Sequence, residues 1–215
     1  MKLNNPVLGS KLLKWPQGTI TQLFGANVAL YQKAIGTNGH NGIDIVAAEG
    51  TPILASSGVV CEVKDTPNGY GKHIRILTPP NENGDYLELT YGHLRDIIVK
   101  IGDDVVNGQP IGGMGNTGFV ISGSTQFWGN APAGKGVHLH FGVRECNLKD
   151  TGWQTIYSTS KTAYIKNYTN GFKGAVNPIE YLTEEIHKEA LSAIELAKAF
   201  ILKLTNYIKG RKINN

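Results

Sequence analysis

From Thr19 to about Gly174 the chain alternates short β-branched or aromatic runs with turn residues. TPILAS (51–56), VVCEVKD (59–65), KHIRILT (72–78) and DYLELTYGHL (85–94) each read as a strand, because such side chains pack well on a pleated surface. Turn signals separate them: Glu49-Gly50, Ser57-Gly58, Asn68-Gly69 and PPNENG at 79–84. Strands this frequent, joined by tight turns, predict a mainly β fold of antiparallel sheets packed as a sandwich.

Two segments break this economy. Residues 119–136 are polar and Gly-rich, and Phe127 and Trp128 within them read equally as groove-lining aromatics or as a small cluster that anchors the loop. The aromatic-rich segment 147–174 reads as an extra hairpin. Loops this long in a compact domain often serve function. After Pro178 the period becomes helical. Ile186, Ala190, Ala193, Ala197, Phe200 and Leu204 form one apolar stripe, with Thr183 as N-cap and Lys209, Arg211 and Lys212 near the C-terminus. The predicted organisation is an irregular N-terminal arm (1–15), a β domain (16–182) and a C-terminal amphipathic helix with its tail (183–215). The stripe needs burial, first against its own domain or else against the same helix of a second chain in self-association; the acidic first turns and many Ala weigh against a membrane surface.

The chain has 215 residues and an apolar fraction of 40%, enough for one domain with a core plus an appendage. A net charge of +4 is too weak to argue for nucleic acid. The N-terminus lacks the apolar region of a secretory leader, and no run of about 18 apolar residues predicts a membrane span. Cys61 and Cys146 are too few for a disulfide scaffold; they read as buried thiols, with one disulfide between them as the alternative.

Six histidines are present, and four of them, with one aspartate, suggest chemistry. In H40-N-G-I-D44, an extended segment places His40, Gly42 and Asp44 on one face and Ile43 and Ile45 on the other. Gly42 leaves space beside the polar pair. In VHLHFGV, His138 and His140 share one face while Leu139, Phe141 and Val143 take the apolar one. A solvent-facing strand with two chance histidines is the alternative. His93 ends the run DYLELTYGHL. Taken together, His40, Asp44 and His140 make a zinc ligand set that leaves one position for water, with His93 and His138 beside it to move a proton and hold charge. Neither HExxH nor G-x-S-x-G occurs.

H40-N-G-I-D44, Y91-G-H93-L94 and H138-L-H140, in this order, resemble the M23 family of metallopeptidases, the LytM or lysostaphin-like domain. The flanks are similar too: ITQLFG (20–25) to the family's first strand, AAEGTPILASSGVV (47–60) to its next hairpin, IGDDVVNGQPIGGMGNTG (101–118) to its turn-rich segment, and NPIEYL (177–182) to its closing strand. The resemblance spans roughly residues 16–182. It implies an antiparallel β domain with one Zn2+ per chain on His40, Asp44 and His140 in a loop-walled groove, and catalytic roles for His93 and His138. It implies cleavage of peptide stems or cross-bridges of peptidoglycan, hence action on the cell wall outside the cytoplasmic membrane. The missing leader points to release as a phage-type lysin or on a particle. The long 119–136 segment departs from the family's short connection and alters the groove wall. Other classes fit less well: a non-catalytic peptidoglycan-binding or regulatory module is disfavoured by the full residue set, a glycan-cleaving lysin lacks a marked carboxylate pair, and a lipoyl-like carrier lacks its modification turn.

Overall fold

A computed structural model describes residues 1–12, 19–150, 152, 154–155 and 162–182. Strand β1 (Ile20–Gln22) is followed by helix α1 (Val28–Ile35) and β2 (Ile43–Ile45). β3 (Pro52–Leu54), β4 (Gly58–Thr66), β5 (Gly71–Leu77) and β6 (Tyr86–Ile97) occupy the four predicted runs. β7 (Asp104–Val105) and β8 (Pro110–Met114) lie in the turn-rich stretch, β9 (Val120–Ser122) and β10 (Thr125–Phe127) form a separate hairpin, and β11 (Leu139–Asn147) follows the H-x-H motif. β12 (Gln154–Thr155), β13 (Ala163–Ile165) and β14 (Ala175–Val176) complete the order.

The main sheet runs β1-β2-β11-β6-β5-β4-β7. β8 joins β6 to β3, while β13 and β14 pair with β11. Every pairing is antiparallel, which gives the sheet two distinct faces. One face is apolar: Ile45, Ile74, Ile76, Leu89, Tyr91 and Phe141 are fully buried. Ile53, Ile111 and Met114 from β3 and β8, with Leu3 and Val7 from the N-terminal segment, close over that face as a single core. This two-layer arrangement is the expected sandwich. The N-terminal segment is tied in as well as packed, since Leu3 bridges Leu182 and Val7 bridges Ile53.

The opposite face carries polar side chains. Arg144 Nη1 lies 3.1 Å from Glu88 Oε1 across the β11–β6 pair, while His73 Nε2 and Arg75 Nε lie 3.2 and 3.4 Å from Glu62 Oε1. Glu62 also pairs with Lys64. A smaller apolar cluster of Cys61, Leu77, Cys146, Ala163 and Ile165 lies beside these charges. Both cysteines are free and buried, as expected. Burial pushes the Cys61 thiol up to about 12, with Glu88 adding, so it remains an inert thiol.

The segment 147–174 does contain a hairpin, β12 with β13. Two features differ from the sequence reading. α1 was not anticipated: it is short, bounded by Asn27 and Gly36, both left-handed, and buries no side chain. NPIEYL is not a strand but a one-turn 3-10 helix, Pro178–Glu180. Pro178 presets its first turn, and the Asn177 side chain caps it by accepting from Ile179 N. The predicted C-terminal helix (183–209), its tail and His187 lie outside the described residues.

Candidate metal centre and its cleft

Sheet register builds this site. Asp44 on β2 and Gly92 on β6 flank His140 on β11 as direct cross-strand partners. His40 reaches the same point from just before β2. The strand itself begins only at Ile43, and a bend at Asn41 and Gly42 turns His40 inward. Convergence therefore comes from that bend rather than from strand parity across the whole motif. The bend needs Gly42, because a β-carbon there would lie 2.6 Å from the Phe141 carbonyl oxygen and 2.7 Å from His140 Cε1. The space noted at Gly42 is filled by the His140 ring.

Three ligand-type atoms meet. His40 Nε2 lies 2.9 Å from His140 Nδ1 and 3.1 Å from Asp44 Oδ1, and His140 Nδ1 lies 3.3 Å from Asp44 Oδ1. All three residues are buried. Asp44 Oδ1 has no hydrogen-bond partner among the described residues, and neither do His40 Nδ1 or His140 Nε2. Around a tetrahedral zinc with bonds near 2.0–2.1 Å, neighbouring ligand atoms stand about 3.3 Å apart. Two imidazole nitrogens and a carboxylate oxygen facing one another at that spacing fit a cation, and could hold a metal ion. Burial pushes His140 down to about 4, so it is neutral near pH 7, as a ligand must be. Burial alone would raise Asp44, but His40 and His138 outweigh it and hold the carboxyl well below its usual range.

His93 and His138 stand beside this group, their ring centroids 4.5 Å apart. His138 Nδ1 donates to the Gly136 carbonyl at 2.8 Å, and His93 Nδ1 donates to the Thr117 carbonyl at 2.7 Å. In each ring the Nε2 is thereby left to exchange a proton. Burial, with His138 and His140 nearby, holds His93 well below its ordinary value, so it stands neutral as a proton acceptor. All five residues singled out in the sequence thus come together. His73 does not join them, because its two nitrogens face the Gly71 carbonyl and Glu62.

Asp44, His93, His138 and His140 line a cavity of about 450 Å³. Thr21, Gln22 and Tyr31 line it as well, as do Phe119, Val120 and Ile121. The 119–136 segment does shape the cleft wall, through Phe119, Val120, Ile121, Gly134 and Gly136 rather than Phe127 and Trp128. Trp128 is 56% exposed and stacks behind Phe119 at 4.0 Å. Three further residues escaped the sequence reading. Tyr31 arrives on α1, its ring 5.1 Å from His40 and its hydroxyl 2.6 Å from Gln22 Nε2. Tyr70 lies 4.9 Å from the His140 ring, and Asn41 Nδ2 donates to the Tyr70 hydroxyl at 2.7 Å. The only local signals were the Asn beside His40 and a Tyr in the N-G-Y-G turn.

The profile of peptidase family M23 matches residues 38–155, more than half of the chain and the stretch that carries all five polar residues. The chain belongs to family M23. Among curated M23-like relatives, the glycyl-glycine endopeptidase ALE-1 of Staphylococcus capitis is 36% identical over 110 residues, which cover 50% of this chain and 25% of that protein. The murein hydrolase activator NlpD of Escherichia coli is 34% identical over 107 residues, covering 49% of this chain and 24% of that one. The chain therefore matches about a quarter of the length of either relative. The catalytic domain of the prophage-encoded M23 protein EnpA from Enterococcus faecalis aligns at 28% identity, TM-score 0.41, over 65% of this chain and 76% of that one.

Proposed function

We propose that this chain is a zinc endopeptidase hydrolysing peptide bonds in peptidoglycan stems or cross-bridges, acting on the cell wall outside the cytoplasmic membrane. The observation that carries the reading is the triangle of His40 Nε2, Asp44 Oδ1 and His140 Nδ1, with no side longer than 3.3 Å, beside two histidines whose Nδ1 atoms are already engaged. His40, Asp44 and His140 would hold the metal. A bound zinc supplies a Lewis acid and brings the pKa of its water to about 7. His93 and His138 present Nε2 to the cavity, accept the proton released on attack and hold charge on the tetrahedral intermediate. The cavity walls keep the scissile carbonyl in reach of these groups and away from bulk water.

The likeness to NlpD favours a second reading, a module that binds peptidoglycan and activates another hydrolase. Turnover separates the two. His40→Ala and Asp44→Ala should lose zinc, while His93→Ala and His138→Ala should keep zinc and lose at least about a hundredfold in kcat. A zinc-loaded wild-type protein with no turnover on purified peptidoglycan supports the activator reading.

A further inference from the structure

Thr117 ends the turn-rich stretch after β8 and joins three backbone segments. Its hydroxyl accepts from Lys72 N at 2.9 Å and donates to the Leu94 carbonyl at 2.9 Å. It thus bridges β5 and β6 at the place where their register slips. Its carbonyl accepts from His93 Nδ1 at 2.7 Å. His93 N donates to the Tyr70 carbonyl at 2.7 Å, and His93 sits at φ 61, in the left-handed region. That conformation is strained for a non-glycine residue and persists only where neighbours impose it. The approach is close as well: Gly71, at φ 59, leaves no room for a β-carbon, which would fall 2.3 Å from the Thr117 carbonyl carbon and 2.4 Å from its Oγ1.

We propose that Thr117 is the positioning residue for His93: its hydroxyl clamps β5 to β6 so that its carbonyl fixes the Nδ1-protonated tautomer and leaves Nε2 to the cleft. The inference rests on the reading of His93 as a proton carrier. Thr117 itself touches neither metal ligands nor cavity, and acts through the ring it orients. Without the hydroxyl, Lys72 N–H and the Leu94 carbonyl lose their shared partner, the β5–β6 slip loosens, and the imidazole can turn or change tautomer.

The test compares Thr117→Val, which keeps the shape and removes the hydroxyl, with Thr117→Ser, which keeps the hydroxyl. The tautomer of His93 is read from long-range 15N–1H spectra of the zinc-loaded protein, with the His93→Ala variant assigning the resonance. Wild type and Thr117→Ser should show Nδ1–H. Thr117→Val should show a mixture with Nε2–H, and its kcat on peptidoglycan should fall about tenfold or more, with KM and zinc content unchanged. An unchanged tautomer and kcat in Thr117→Val would overturn the inference, as would a serine variant no better than the valine one. Should the valine variant not fold, Thr117→Ala removes the same hydroxyl and is read in the same way. If His93→Ala retains full activity, the role given to His93 is wrong, and the tautomer spectra still decide whether Thr117 orients the ring.

Discussion

His40 Nε2 and His140 Nδ1 lie 2.9 Å apart although 100 residues separate them in the chain. Two ring nitrogens brought this close in a buried site suit a cation placed between them. Gly42 is the residue that permits it, since any side chain there would collide with the His140 ring and the Phe141 carbonyl. Gly42→Ala should therefore displace His140 and weaken zinc binding by at least about tenfold, measured by competition with a chromogenic chelator. Unchanged zinc affinity would mean that the ligand geometry does not depend on the bend.

A second prediction concerns acid stability. Burial alone would raise Glu62, but His73, Lys64 and Arg75 bring its carboxyl from an ordinary 4.5 down to about 2. The folded state thus favours the ionised form. Its stabilisation is complete above pH 4.5 and is lost as pH falls toward 2, and it amounts to roughly 3 kcal/mol at most. Urea unfolding of Glu62→Gln should show lower stability than wild type at pH 7 and a flatter dependence between pH 4.5 and 2. Parallel acid limbs in the two proteins would assign the loss to other groups.

The cleft wall supplies a third. Phe119 lines the cavity and Trp128 stacks on its outer side at 4.0 Å. Phe119→Ala should raise KM or change the preferred bond directly, whereas Trp128→Ala should act more weakly, by loosening Phe119. A larger effect on KM from Trp128→Ala than from Phe119→Ala would reverse that order and place Trp128 in contact with substrate.

The strands were legible because each run of branched and aromatic residues is bounded by turn signals, and β3 to β6 fall where those runs lie. Four of the five polar residues were legible because His138 and His140 leave one face of an apolar strand and His40 and Asp44 stand four apart beside a glycine; His93 was marked only by its Y-G-H-L likeness to the family. What escaped notice depends on contacts distant in sequence. Tyr31 belongs to a short helix with no buried residue, and its place beside His40 depends on a contact that local sequence does not encode. Tyr70 and Thr117 matter through the β5–β6 register slip, which local sequence does not encode. The turn of NPIEYL was in fact signalled, since Asn before Pro is a helix-starting pair, and likeness to a closing strand overrode it.

Product chemistry decides whether the chain hydrolyses peptide bonds in peptidoglycan with the help of zinc. Purified peptidoglycan digested with the zinc-loaded protein, then analysed by mass spectrometry and end-group assay, should show new amino termini within stems or cross-bridges and no new reducing sugar ends. Chelation should abolish the products and added zinc should restore them. New reducing ends, or no products from a protein carrying one zinc per chain, would contradict the account.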